Sequence, residues 1–230
     1  MNVAIIPARG GSKRIPKKNT KFFLGIPVIE YSIRAAVQSG CFDRIIVSTD
    51  DEDIADIAIN SGAEVPFMRP KRLSGDYTAT VPVVKHAIEY INTGDQVIDL
   101  ACCIYATAPF IQVEDIRKSF DLISSRDYDY VFPVTSFPYP IQRGLGLLES
   151  EKVSMISPEY YESRSQDLVA AYHDVGQFYW GSYEAWTLEK PILTGKSGAV
   201  ILPRHRVQDI DTLEDWKRAE ILFKAIQLSE

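Results

Sequence analysis

The chain has 230 residues, of which 46% are hydrophobic and 24% are charged, and its formal net charge is −6. These values fit one globular α/β domain with room for an insertion. The acidic balance argues against general nucleic-acid binding, and no apolar run approaches the roughly 18–20 residues of a membrane span. Three cysteines without a C-x-x-C pair favour a reducing compartment. We therefore predict a cytoplasmic protein without nucleic-acid or membrane partners.

The first predicted element is a short apolar strand that begins at Asn2 and runs directly into a glycine-rich, basic loop (residues 8–19, the opening loop). Gly10 and Gly11 remove side-chain bulk, so backbone N–H groups can approach an anion closely. Fixed positive charge for phosphate oxygens comes from Arg9, Lys13 and Lys18. The spacing matches neither the P-loop nor the dinucleotide-binding fingerprint. The pattern favours a polyphosphate site over the alternative, an ordinary turn with solvated cations.

Helical and extended patterns alternate through the rest of the first half and return near the end of the chain. Apolar spacing and capping residues predict helices at 27–39, 49–60, 80–91, 113–124 and 212–228. Runs of β-forming residues predict strands at 44–48, 64–68, 99–105, 130–135, 177–180 and 198–202. The proline within 64–68 predicts edge or irregular pairing for that strand. This order predicts an α/β fold with a mostly parallel, doubly wound sheet. Ligands of such sheets bind at the carboxyl ends of the strands.

The alternation breaks between residues 137 and 172, where prolines, glycines and short alternating stretches replace it. We predict a single domain spanning residues 1–230, with a hairpin-like arm inserted at 137–172. Such an arm is a candidate dimerisation segment. An insertion that packs on its own domain is equally compatible with this composition.

A second group of chemistry-bearing residues precedes the last helix, where Asp209 and Asp211 are separated by one residue. In an extended segment, side chains two residues apart point the same way. Two carboxylates so placed can share a hard cation such as Mg²⁺. The alternative is that Asp209 is a surface residue and that Asp211 assists the helix cap at Thr212. Together with the opening loop, the pair favours metal-assisted phosphoryl or nucleotidyl transfer.

Several short motifs resemble, in the same order, those of the CMP-sialic acid synthetases. The matching segments are 6–19, 42–50, 69–70, 74–76, 107–109 and 209–212. The members of this family are nonulosonate cytidylyltransferases with a nucleotide-diphospho-sugar transferase fold, and the resemblance covers nearly the whole chain. Within the family, residues 105–109 and 172–180 most resemble the members that act on pseudaminic acid.

The resemblance implies a role for each matching residue. The implied nucleotide-binding residues are Ala8, Arg9, Gly11, Ser12, Lys13, Lys18, Asn19, Arg69 and Asp76. The implied sugar-binding residues are Tyr105, Thr107, Arg164, His173, Gln177, Phe178 and Tyr179. The implied catalytic residues are Arg9, Lys18 and Asp211, and the implied Mg²⁺ ligands are Asp209 and Asp211. Family members dimerise through an arm, so the resemblance also implies a homodimer.

The implied reaction transfers CMP from CTP to the anomeric C2 hydroxyl of a nonulosonic acid, releases pyrophosphate, and serves surface-glycan or flagellin glycosylation. Pseudaminic acid is favoured because Tyr105 and residues 173–176 differ from the glutamine and the Arg-Pro-Asn-Gly typical of the N-acetylneuraminate enzymes. The alternatives are N-acetylneuraminic, legionaminic or ketodeoxyoctonic acid as acceptor, or a non-catalytic CTP sensor. Strand alternation predicts that only every second residue of 178–180 faces a pocket. For His173, the alternative to a role in sugar binding or catalysis is a purely structural role.

Overall fold

The structure, a computed structural model, describes residues 1–92 and 97–228. Its strands are β1 Asn2–Pro7, β2 Phe22–Phe23, β3 Ile26–Pro27, β4 Arg44–Ser48, β5 Leu100–Ile104, β6 Tyr130–Ser136, β7 Leu145–Leu147, β8 Val153–Met155, β9 Tyr172–Asp174, β10 Phe178–Ser182 and β11 Ser197–Ile201. Its α-helices are α1 Val28–Ser39, α2 Glu52–Asn60, α3 Thr80–Ile91, α4 Val113–Ser125, α5 Tyr183–Thr187 and α6 Leu213–Gln227.

Seven strands form one mixed sheet in the order β11-β6-β10-β5-β1-β4, with β9 paired to β6. β1 lies parallel to β4 and β5, and β11 lies parallel to β6. β10 is antiparallel to both β5 and β6, and β9 is antiparallel to β6. The predicted α/β class with a mostly parallel sheet is confirmed. The carboxyl ends of β1, β4, β5, β6 and β11 therefore meet at one edge.

Helices cover both faces of the sheet because the strand residues alternate between two cores. Ala4 and Ile6 of β1 face one core with α1, α2 and α4, whereas Val3 and Ile5 face the other with α3 and α5. All four side chains are fully buried. A third, smaller core packs Phe23 edge-on against aromatic residues of α6. The double layer predicted from the alternating elements is thus built by period-two burial along each strand.

The local stop and start signals act as predicted in several places. α1 ends at Gly40, whose φ of 65° is the left-handed conformation that glycine adopts readily. Asp51 caps α2 by accepting a hydrogen bond from the backbone N–H of Ile54 at 3.0 Å. Thr212 and Asp215 form a reciprocal capping box at the start of α6.

The irregular pairing predicted for the segment 64–68 is confirmed, although no continuous strand forms there. Only two isolated bridges form, between Ile46 and Glu64 and between Thr49 and Met68. Pro66 lies between them and has no N–H to donate to a ladder, which explains why pairing does not continue. The segment still runs beside β4, and it delivers Arg69 to the carboxyl edge of the sheet, where the Arg69 N–H donates to the carbonyl of Thr49 at 2.6 Å.

Residues 137–171 (the arm) contain a small hairpin in which β7 pairs with β8, flanked by short 3₁₀ turns. Apolar side chains on the arm are largely exposed; they include Tyr139, Leu145, Leu147, Val153, Ile156, Tyr161 and Val169. Across residues 1–92 and 97–228, no helix has the length and apolar character needed to cross a membrane.

Candidate active site

A cleft of about 480 Å³ opens at the carboxyl edge of β1, β4 and β5. The predicted site residues that line it are Arg9, Ser12, Lys13, Lys18, Asn19, Arg69, Asp76, Tyr105 and Asp211. They come from segments far apart in sequence, namely the opening loop, the stretch before α3, the end of β5 and the start of α6. The fold thus brings together the nucleotide-binding, sugar-binding and metal-binding candidates in one place.

The opening loop is anchored at its base to the end of β4. The Gly10 N–H donates to Oδ1 of Asp50 at 3.0 Å, and Nδ2 of Asn19 donates to the Arg9 carbonyl at 2.9 Å. A Cβ on Gly10 would lie 2.4 Å from Oδ2 of Asp51, so a side chain there would collide with the cap of α2. These contacts fix the path of the loop, and four of its cations, Arg9, Lys13, Arg14 and Lys18, line the cleft.

Positive charge dominates this cleft although the chain is acidic. Among the described residues that line it, five are cationic and two are acidic; the cations are Arg9, Lys13, Arg14, Lys18 and Arg69, and the acids are Asp76 and Asp211. A cleft with low-dielectric walls and one excess sign of charge concentrates ligands of the opposite sign. The cleft is therefore suited to a polyanion.

Asp76 holds two of the cations. Arg9 Nη1 donates to Oδ1 of Asp76 at 2.7 Å, and Lys13 Nζ pairs with Oδ2. The hydrogen bond from Lys13, then that from Arg9, lowers the pKa of Asp76. The two carboxylate oxygens of Asp76 thus pair with cationic groups that could also bind the oxygens of a phosphate.

Asp211 also pairs with two cations that line the cleft. Its Oδ2 accepts from Arg14 Nη1 at 2.8 Å, and its Oδ1 lies 3.6 Å from Lys18 Nζ. Burial lowers the pKa of Lys18, while the charges of Asp211 and Asp209 oppose that effect. The Thr212 cap is completed by Asp215, so the Asp211 carboxylate faces the cleft and is not a cap.

Asp209 and Asp211 are the candidate metal ligands. Asp209 is exposed as a residue, but partial desolvation of its carboxyl, and then the negative charge of Asp211, raises the pKa of Asp209. Oxygen donors of this kind bind hard cations. Within the described parts of the chain, no group of three or more His, Cys, Asp or Glu residues could hold a metal. Further ligands would therefore have to come from substrate phosphates and water.

Arg69 is a buried cation that lines the cleft. Its side chain is 4% exposed, and its Nη2 lies 3.7 Å from Oδ1 of Asp50, beyond hydrogen-bond distance. In the described structure, Nε and Nη2 have no hydrogen-bond partner. Burial lowers the pKa of this guanidinium, and the charge of Asp50 opposes the shift. Asp50 thus connects the buried Arg69 to the base of the opening loop at Gly10.

Several predicted residues lie outside the lining of the cleft. Ala8 is buried at the base of the loop, Gly11 is exposed, Asp209 is exposed beside Asp211, and Thr107 is half-buried in the turn after β5. Arg164 lies on the arm, where its Nε donates to Oδ2 of Asp167 at 2.7 Å. The described chain alone therefore supplies no arm residue to the cleft lining.

The predicted sugar-binding residues of β9 and β10 divide between two faces. Phe178 is fully buried in the core beneath α1 and α4, so its prediction as a sugar contact is wrong. Tyr179 faces the other way and packs against Tyr105, as alternation predicted. His173 lines a separate groove beside α6, and its ring lies 4.9 Å from that of Phe137. Gln177 is buried, and its Nε2 donates to the Arg206 carbonyl at 3.3 Å.

Some lining residues were not anticipated from the sequence. They are Pro7, Arg14, Leu73, Gly75, Thr78, Thr80 and Val83. Arg14 lies within the predicted basic loop, so its charge was an available signal. Thr80 is the first residue of α3 and Thr78 lies two residues before it, and neither position carries a chemical signal in the sequence.

Comparison with known proteins agrees with this geometry. A family model described as cytidylyltransferase matches residues 3–167. The chain belongs to the cytidylyltransferase family. The chain is 46% identical over 223 residues to the pseudaminic acid cytidylyltransferase of Campylobacter jejuni. The aligned region covers 97% of this chain and 96% of that protein. It is 36% identical over 138 residues to the CMP-N,N'-diacetyllegionaminic acid synthase of Legionella pneumophila, covering 59% and 60% of the two chains.

A solved structure supports the fold of this cytidylyltransferase independently of close sequence similarity. The structure of CMP:2-keto-3-deoxy-manno-octonic acid synthetase complexed with CTP matches with a TM-score of 0.71 at 15% identity, covering 97% of this chain and 98% of that chain. The two chains therefore share their fold. Cytidylyltransferases of this kind generally use a divalent metal.

Proposed function

We propose that this cytidylyltransferase transfers CMP from CTP to the C2 hydroxyl of pseudaminic acid and releases pyrophosphate. The observation that carries the proposal is the cationic cleft that faces Asp211, with Asp209 beside it. The 46% identity to a pseudaminic acid cytidylyltransferase over nearly the full length of both chains favours pseudaminic acid over related acids.

The chain's cations would bind the triphosphate. Arg9 and Lys13 would exchange the Asp76 carboxylate for phosphate oxygens, which are acceptors of higher charge. Lys18, whose side chain is only 17% exposed, would stabilise the charge that develops as the hydroxyl attacks the α-phosphorus and pyrophosphate leaves. Asn19 and Arg69 would contact the cytosine and ribose.

Asp209 and Asp211 would hold Mg²⁺, which supplies neutralisation of negative charge on the phosphate oxygens when bound. For this, Asp211 has to release Arg14 and Lys18, its present partners at 2.8 and 3.6 Å. Both cations line the cleft, so they become available to the phosphates at the same time.

The proposal includes a homodimer in the cytoplasm. The arm exposes apolar side chains such as Leu147 and Val169, which are 77% and 81% exposed. Exposed apolar patches of this kind are typical of interaction surfaces. Arg164, which lies on the arm, would then reach the sugar pocket of the partner subunit.

Pyrophosphate release measured with CTP and single nonulosonic acids tests the proposed function. We expect turnover that requires Mg²⁺ and is fastest with pseudaminic acid. Faster turnover with legionaminic, N-acetylneuraminic or ketodeoxyoctonic acid would replace the proposed acceptor. Tight CTP binding without turnover on any acid would identify a CTP sensor and overturn the enzymatic proposal.

A further inference from the structure

A continuous set of side-chain contacts runs from the surface at β9 to the cleft. Oδ2 of Asp174 accepts a hydrogen bond of 2.5 Å from the Tyr179 hydroxyl. The Tyr179 ring lies 5.5 Å from that of Tyr105, centroid to centroid. The Tyr105 hydroxyl lies 3.3 Å from Oγ1 of Thr80, the first residue of α3. Of these four residues, only Tyr105 and Thr80 line the cleft.

The backbone holds both ends of this set in place. The Tyr105 N–H donates to the Gln177 carbonyl at 2.8 Å, which continues the pairing of β5 with β10. Oδ1 of Asp174 accepts from the Gly176 N–H at 2.9 Å, so both of its carboxylate oxygens are engaged. Gly176 has a φ of 67°, and a Cβ there would touch the Tyr105 ring at 4.0 Å. The turn between β9 and β10 is thus fitted against Tyr105.

We propose that Asp174 and Tyr179 are positioning residues that fix the Tyr105 hydroxyl beside Thr80. In this proposal, Tyr105 and Thr80 together recognise an uncharged hydrogen-bonding substituent of the acceptor sugar, such as a hydroxyl or an acetamido group. This inference rests on the proposed function, because it assigns a part of the acceptor to one wall of the same cleft.

The raised pKa values of Tyr179 and Tyr105 support this assignment, because both hydroxyls keep their protons. Burial, then the neighbouring Tyr105 and Asp174, raises the pKa of Tyr179, so its hydroxyl keeps its proton and donates it to Asp174. Burial is also the main cause that raises the pKa of Tyr105. The cleft therefore presents neutral hydroxyls at Tyr105 and Thr80, each able to donate and to accept.

Charge also sets the direction in which the sugar acid would lie. The negative charge of Asp174, which does not line the cleft, acts on Tyr105 and disfavours a second carboxylate next to the Tyr105 hydroxyl. The carboxylate of the acceptor is therefore expected to lie away from Tyr105, with the uncharged substituents of the sugar toward the Tyr105 hydroxyl.

Steady-state kinetics with Tyr179→Phe and Asp174→Asn test the positioning role. Loss of one buried hydrogen bond predicts a KM for the sugar acid that rises about fivefold in each variant, with the KM for CTP unchanged. The matched control is Tyr130→Phe, which removes a fully buried hydroxyl that donates to the Ala185 carbonyl at 2.8 Å, away from the cleft. An equal rise in the control, or a parallel rise in the KM for CTP, would overturn the proposal.

Crystal structures of the wild type and of Tyr179→Phe give a second readout that needs no turnover. The proposal predicts that the Tyr105 hydroxyl leaves its contact with Thr80 in the variant. An unchanged contact would overturn the positioning role. If the wild-type protein forms no CMP-sugar with any acid, the proposed function fails, whereas the structural comparison still decides whether Tyr179 positions Tyr105.

Discussion

The cleft and the arm differ in how completely one chain builds them. The cleft stands on β1, β4 and β5, whose central residues are fully buried, and its cations are held by carboxylates of the same chain. The arm has a hairpin of three residues per strand, and its apolar side chains, such as Leu147 at 77%, are mostly exposed. We therefore expect a single chain to suffice for nucleotide binding, and we propose that the arm packs against a second copy of the chain.

The largest expected effect tests whether the opening loop binds the triphosphate. Lys18→Gln removes a cation from the cleft, so we expect kcat to fall on the order of 10²–10³-fold. Lys17→Gln is the matched control, because Lys17 is directed to Asp53 at 2.9 Å and does not line the cleft. Pyrophosphate release measures both. Equal losses in the two variants would show that general surface charge is responsible, and not the geometry of the cleft.

The next effect concerns the carboxylates. Asp211→Asn removes one negative oxygen ligand, so we expect the Mg²⁺ concentration for half-maximal activity to rise on the order of 100-fold. Glu214→Gln serves as the control, because Glu214 is an exposed acid in the first turn of α6.

A magnesium titration of pyrophosphate release separates the two carboxylate variants. Near-full turnover of Asp211→Asn at the wild-type magnesium requirement would contradict the metal assignment. The Glu214→Gln curve is expected to coincide with that of the wild type.

A smaller effect tests the arm. Leu147→Asp places a charge on its exposed hairpin, so we expect the dimer dissociation constant to rise about tenfold or more. Ile59→Asp, at an exposed apolar position on α2, is the control and should leave the dimer intact. Analytical ultracentrifugation measures the association. A wild-type chain that is monomeric at micromolar concentration would remove the proposed role of the arm.

The smallest effect concerns the fold that supports the cleft. Asp51→Ala removes the cap of α2, so the free energy of unfolding should fall by about 1 kcal/mol. Asp56→Ala, at an exposed position on the same helix, should leave it nearly unchanged. Urea denaturation measures both. If Asp51→Ala reduces the free energy of CTP binding by more than the free energy of unfolding, Asp51 supports the opening loop directly. That result would contradict a role limited to capping α2.

Much of this architecture could be predicted because its signals are local. Gly10 and Gly11 follow β1, and the pair Asp209 and Asp211 lies between β11 and α6. Parallel topology brings the carboxyl ends of β1 and β11 to one edge of the sheet. The reversed direction of β10 could not be predicted, because it depends on the path of the chain through the arm. The irregular pairing at 64–68 could be predicted, because Pro66 has no N–H to donate to a ladder.

The candidate site shows the same division. The cations of the opening loop were predicted from composition and spacing, and most of them line the cleft. Thr80 was missed because its helical position carries no chemical signal until Tyr105 is placed beside it at 3.3 Å. Phe178 was assigned to the sugar by resemblance to the family, but only register decides which strand face meets the core.

A crystal structure of the protein with CTP tests the central claim most directly. The account predicts that the triphosphate contacts Arg9, Lys13 and Lys18, and that these cations no longer pair with Asp76 and Asp211. A triphosphate bound elsewhere, with both sets of ion pairs intact, would contradict it.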